Sequence, residues 1–129
     1  MVKILIADDE QEVADIMARK IAAEGYEVVK AYDGLGAWKI ICDESPDIIV
    51  LDINMPGRDG FEILKELRTN PPSSKWQPVI LVSGRRELQD LKQGFDLEAD
   101  HYLTKPCSAN DVLKAIKLMI QLKPQHRTD

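Results

Sequence analysis

Cysteine is scarce in this chain of 129 residues: Cys42 and Cys107 are the only two, and no disulfide framework can be built from them. Neither has a metal-ligand spacing, and Met1 runs straight into Val2-Lys3-Ile4-Leu5 without the charged, apolar and cleavage-site succession of a signal peptide. The pair therefore reads as reduced thiols in a cytoplasmic protein. Long apolar runs are also missing. Ile48 to Leu51 and Val79 to Val82 are as long as they come, far short of the ~20 residues that span a bilayer, so no membrane partner is expected. There is no Lys/Arg block either, and 17 basic side chains against 22 acidic ones leave a net charge of -5, which disfavours direct binding to nucleic acid. Trp38 and Trp76 have no interleaved basic residues and make no stacking platform. His101 and His126, the only histidines, offer neither a zinc site nor a Ser/His/Asp triad.

What is present is a globular composition, 44% hydrophobic and 30% charged, in a chain long enough to bury roughly two-thirds of its unfolded surface in one core. Residues 1–122 read as a single domain and 123–129 as a polar tail or the start of a linker. Short β-rich runs alternate with helical periodicity five times. Strands are expected at Val2 to Ala7, Glu27 to Ala31, Asp47 to Leu51, Pro78 to Ser83 and Asp100 to Leu103. Five amphipathic stripes lie between and after them: Val13, Ile16, Met17 and Ile21; Leu35, Trp38 and Ile41; Phe61, Leu64 and Leu67; Leu88, Leu91 and Phe95; and Val112, Leu113, Ile116, Met119 and Ile120. Asp59 with Glu62 and Ser108 with Asp111 have the offset of capping boxes, and Pro124 follows the last stripe. Right-handed crossovers turn this pattern into an α/β fold, a doubly wound five-stranded parallel sheet with helices on both faces and the strand order 2-1-3-4-5. In that order a crevice opens beyond the carboxyl ends of the first and third strands.

Chemistry concentrates at that crevice. The first strand ends in Asp8-Asp9-Glu10 and the third in Asp52. Gathered carboxylates raise one another's pKa values unless a cation neutralises them, and hard oxygen ligands suit Mg²⁺ or Mn²⁺. Ser83 and Lys105 close the fourth and fifth strands, adding a hydroxyl and a positive charge of the kind that hold a phosphoryl oxygen. Met55-Pro56-Gly57 fixes the turn beyond Asp52: proline presets the second turn position and glycine accepts positive φ at the third.

Together, Asp8-Asp9, Asp52-Ile53-Asn54-Met55-Pro56-Gly57-Arg58-Asp59-Gly60, Ser83-Gly84 and Tyr102-Leu103-Thr104-Lys105-Pro106 resemble the receiver domain of two-component response regulators, over essentially residues 2 to 121. The resemblance implies a flavodoxin-like fold and a phosphorelay switch, in which Asp52 accepts a phosphoryl group from a histidine kinase or a histidine phosphotransfer protein. It implies that Asp9, Asp52 and the main-chain carbonyl of Asn54 bind Mg²⁺, with Asp8 acting through water. It further implies that Ser83 and Tyr102 move on phosphorylation, altering the face made by the fourth helix, fifth strand and fifth helix, and that Asn54 and Arg85 tune hydrolysis. A homodimer linked to phosphorylation is compatible with it. The sequence does not name the downstream target, or decide between a stand-alone receiver and a piece of a larger regulator. The Lys105-Pro106 isomer is equally open.

Three positions depart from the pattern. Glu98 stands where relatives often have glycine at a helix end, His101 replaces a common acid, and Cys107 takes a place often held by phenylalanine. Rival functions fare less well. A phosphatase of the haloacid-dehalogenase type needs a second acid where Asn54 stands, and an amide cannot serve as general acid or base. A flavodoxin needs a Ser/Thr/Gly phosphate loop where the chain has Asp8-Asp9-Glu10, which would repel a flavin phosphate. An interaction module indifferent to phosphorylation would have no use for the acid, hydroxyl and lysine set. The expected protein is thus not an enzyme toward external substrates; it catalyses only its own phosphorylation and dephosphorylation.

Overall fold

The structure, a computed structural model, describes residues 1–84 and 99–122. Strands β1 (Lys3–Ala7), β2 (Glu27–Ala31), β3 (Ile48–Asp52), β4 (Val79–Ser83) and β5 (His101–Thr104) fall within a residue or two of the expected spans. They form one sheet in the order β2-β1-β3-β4-β5, every neighbouring pair parallel. Helices α1 (Gln11–Ala22), α2 (Gly34–Glu44), α3 (Gly60–Thr69) and the C-terminal helix (Ala109–Leu122) complete the described elements. The stripe at Leu88, Leu91 and Phe95, together with Arg85, Glu98 and Pro124, lies outside the described residues.

Alternation along the strands divides the core in two. Leu5, Ile49, Leu51 and Leu81 project to one side, where they pack with Ala37 and Ile41 of α2 and with Phe61, Leu64 and Leu67 of α3. Ile6, Ile48, Val50 and Val82 project to the other, against Met17 and Ile21 of α1 and Val112, Ile116 and Met119 of the C-terminal helix. β3 and β4 are buried along their whole length, as expected of central strands covered on both faces. Two expected stripe members are not in the core. Ile16 and Leu35 are 54% and 66% exposed. In α1 the buried set is Ala14, Met17, Ala18 and Ile21, which turns Ile16 outward. In α2 the buried positions are Gly34, Ala37 and Ile41; Leu35 falls outside that face and lies beside Gly57 instead.

Caps fix where the helices begin. Asp59 accepts from the Glu62 amide (2.8 Å) while Glu62 accepts from the Asp59 amide (3.1 Å). Ser108 and Asp111 make the same reciprocal pair at the C-terminal helix, at 3.1 and 3.0 Å. At α2, Asp33 accepts from the Gly36 amide at 2.7 Å.

The amino-terminal ends of β4 and β5 are held by a polar clamp. Arg68 of α3 pairs with Asp100 at 2.9 Å, donates to the Gln77 carbonyl at 3.1 Å and stacks over the Trp76 ring with 4.0 Å to its centroid. Asp100 also accepts from the Val79 amide at 2.8 Å. Both charged side chains are only one-tenth exposed. Removing one partner of such a pair strands the other charge in a poorly hydrated place, so Asp100→Ala is expected to cost about 2–4 kcal/mol in urea denaturation. A loss below about 0.5 kcal/mol would mean that the clamp contributes no more than an ordinary surface pair.

Candidate functional site

Three strand ends converge at the opposite edge of the sheet. After β1 the Asp8 amide extends the ladder by donating to the Ala31 carbonyl (3.1 Å), and the Asp8 carboxylate accepts from the Glu10 amide at 3.0 Å. The turn from strand into α1 thus holds Asp8 buried while Asp9 and Glu10 remain exposed. β3 ends on Asp52, which is 4% exposed and accepts from the Asn54 amide at 3.3 Å. After β5, the Lys105 amide donates to the Ser83 carbonyl at 2.6 Å, which carries the lysine across the ends of the neighbouring strands. The Lys105–Pro106 peptide is cis.

The loop between β3 and α3 has little freedom. Pro56 accepts from the amides of Gly34 and Arg58, at 3.0 and 3.1 Å, and Gly57 has φ +84°, the left-handed conformation that glycine tolerates. A Cβ on Gly60 would stand 2.8 Å from the Asp52 carbonyl oxygen, so glycine is required where α3 starts behind Asp52. Arg58 pairs with Glu66 at 3.1 Å and reaches over the Trp38 ring, 5.4 Å from its centroid. These contacts tie the loop to both α2 and α3.

Lys105 gathers the acids. Its Nζ lies 3.1 Å from Asp52 Oδ2, 3.3 Å from Asp8 Oδ2 and 3.8 Å from Glu10 Oε1. Burial pushes the Asp52 carboxyl up from 3.8 to about 6, with Asp8 adding to the rise and Lys105 opposing it. Burial alone would depress the Lys105 ammonium; Asp52 and Asp8 outweigh it and raise the group above its ordinary value. Ser83 is fully buried, one residue beyond Val82, the register partner of Asp52. Tyr102 is half-buried against the α2/α3 side of the core. Asn54 is exposed, as is Asp9, and His101 is half-buried on β5. Burial raises the Cys107 thiol, with Asp111 contributing, so the thiolate is disfavoured.

Asp52, Asp8 and Lys105 are thus brought into one group by the fold, and Glu10, which the sequence placed among the crevice acids without a metal or catalytic role, joins it. The donors suit a hard divalent cation. Carboxylate oxygens of Asp8, Asp9 and Glu10 lie within 4.8 Å of one another, and Asp52, raised by burial and by its acidic neighbour, is a group whose ionised form a cation would stabilise.

A doubly wound sheet with acids and a lysine at its switch point defines a class, and comparison with known proteins identifies it. The family model described as "Response regulator receiver domain" matches residues 4–117. The chain belongs to that family. Among solved structures it is similar to a CheY-like receiver domain protein from Methanospirillum hungatei, with 27% identity and a TM-score of 0.87 over 97% of this chain and 98% of the other. The receiver domain of the Francisella response regulator 1452 is 30% identical, with a TM-score of 0.85 over 94% and 98%. The chemotaxis protein CheY4 of Vibrio cholerae is 27% identical, with a TM-score of 0.83 over 92% and 98%. Receiver domains are phosphoacceptor switches of two-component systems and bind Mg²⁺ at an acidic pocket. No helix among the described residues is long and apolar enough to cross a membrane.

The raised Asp52 pKa has a sign that can be tested without metal. The folded state holds this proton more tightly than the unfolded chain, so stability falls as pH rises from about 4 through 6 and stays reduced above. Asp52→Asn removes that loss. The variant is expected to be more stable than the parent by about 1–3 kcal/mol at pH 7.5 in chelator, and nearly equal to it at pH 4, by urea denaturation. Equal stability at pH 7.5, or a gain that persists unchanged at pH 4, would contradict this origin.

Proposed function

We propose that residues 1–122 form a cytoplasmic phosphoacceptor switch, with 123–129 as a tail or the start of a linker, and that Asp52 is the residue phosphorylated. The observation that carries this reading is the placement of Lys105 Nζ between the buried Asp52 and Asp8, in a chain of the receiver family. Phosphoryl transfer asks a protein mainly for alignment and for charge on the transferring oxygens.

In this reading an Asp52 carboxylate oxygen attacks the phosphorus of a phosphohistidine on a histidine kinase or histidine phosphotransfer protein. The P–O bond forms as the P–N bond breaks, and the departing imidazole recovers its proton from solvent. Lys105 leaves its carboxylate contacts to pair with a phosphoryl oxygen, and the Ser83 hydroxyl donates to another. Asp9, Asp52 and the Asn54 carbonyl would hold Mg²⁺, or Mn²⁺, with Asp8 acting through water and Glu10 within reach. Bound there, the cation supplies positive charge against which the phosphoryl oxygens gather. Hydrolysis reverses the modification, and Asn54 and Arg85 are the residues that tune its rate. No external metabolite is turned over.

The signal would leave through Ser83 and Tyr102. Adding a phosphoryl group makes the site more negative, which draws the lysine and the serine toward it. Tyr102, in register with Leu81 two residues before Ser83, then repacks and reshapes the face around β5 and the C-terminal helix. That face is the proposed surface for the downstream protein, or for a second copy of the chain in a phosphorylation-linked homodimer.

Incubation with acetyl phosphate and Mg²⁺ followed by mass mapping tests the assignment. One phosphoryl group on Asp52 is expected, none in Asp52→Asn and none in excess chelator. Lys105→Ala should label at least about 100-fold more slowly. Labelling of another residue, or undiminished labelling of Asp52→Asn, would reject the function.

A further inference from the structure

A cavity of about 400 Å³ opens beside the acid group. Its walls are apolar: Ile6 and Val50 from the sheet, Val13 and Met17 from α1, and Cys107 from the segment after β5. Its polar lining is confined to Asp8, Glu10, Asp52 and Lys105. Phosphoryl transfer uses the charged groups but has no use for a void between Val13, Met17 and Cys107. The combination of a concave apolar body with a few convergent charges is the usual anatomy of a small-molecule site.

Size and charge narrow the ligand. An apolar cavity of roughly 150 Å³ takes one benzene ring, so this volume has room for a fused two-ring body. At neutral pH the three carboxylates outnumber the single Lys105 ammonium, and all three already lie within 4 Å of it. A further cationic group is attracted there and an anionic one repelled, with N–H donors well matched to carboxylate oxygens. We propose that the cavity binds a small arylalkylamine, its flat apolar body between α1 and Cys107 and its ammonium among Asp8, Glu10 and Asp52. Cys107 sets the room available, because a larger side chain at this position would occupy the space the ring needs.

The site goes beyond the phosphoacceptor reading and does not depend on it. Titration of the full chain, methyl-labelled, with tryptamine in metal-free buffer at pH 7.5 should give saturable NMR shifts at Val13, Met17, Val50 and Val82. The isosteric neutral compound 3-propylindole should bind about tenfold more weakly, and indole-3-propionate not measurably. Cys107→Phe should weaken tryptamine at least about tenfold while Asp52 still labels with acetyl phosphate; should the phenylalanine disturb folding, Cys107→Leu provides a smaller filler. Unsaturable shifts scattered over the surface, equal affinity for all three compounds, or unchanged binding in the filled variants would overturn the proposal. Failure of Asp52 to label would sink the phosphoacceptor reading and leave this one standing.

Discussion

Carboxylates that repel one another, held together around a single ammonium, are the constraint on which the arrangement depends. Asp8 and Asp52 are both buried, and Lys105 is within 3.3 Å of each. Coulombic attraction to one lysine does not fully offset the cost of taking these groups from water, and the upward displacement of Asp52 records the shortfall. The site is therefore short of positive charge by design of its own residues. In the proposed reading a divalent cation would relieve that shortage and a phosphoryl group would renew it. A switch needs two arrangements of comparable free energy, and a locally unfavourable charge balance is a direct way to provide them.

The scaffold accommodates this cost because the strands that end in the acids run through the core. Ile48, Ile49 and Leu51 of β3 are inaccessible to solvent, as are Ile4 and Leu5 of β1. The backbone under Asp52 is then immobilised from behind by Gly60 and from the side by Gly34, whose amide reaches Pro56. Arg58, placed between Trp38 and Glu66, continues the same connection into α2 and α3. Rigidity beneath the carboxylate leaves the side chains of Lys105 and Ser83, rather than the main chain, to respond to its charge state.

Much of this was legible in the sequence. Five apolar runs with helical stripes between them imply the sheet order, because right-handed crossovers leave few alternatives. The acids at the ends of two of those runs, with Ser83 and Lys105 at the ends of two others, locate the crevice. Illegible were relations that only packing creates. That Lys105 touches Asp8 and Glu10 as well as Asp52 depends on how the ends of β1, β3, β4 and β5 line up across the sheet. Arg68 finds Asp100 across 32 residues and Trp76 across the loop after α3, and no local pattern announces it. Leu35 matched a stripe by spacing, yet the buried face of α2 runs through Gly34, Ala37 and Ile41 and leaves it exposed. A cavity beside Cys107 is a deficit of volume, and hydrophobic patterning carries no information about deficits.

The Arg68 clamp gives the two ends of β4 and β5 different characters. One extremity is bolted by a shielded guanidinium, an indole and a carboxylate that also secures the Val79 amide; the other carries Ser83 and Lys105 beside the acids of the neighbouring strands. A displacement set off by a change of charge should therefore be greatest at those tips and die away toward the bolt, so that the two strands act as cantilevers loaded at the free end.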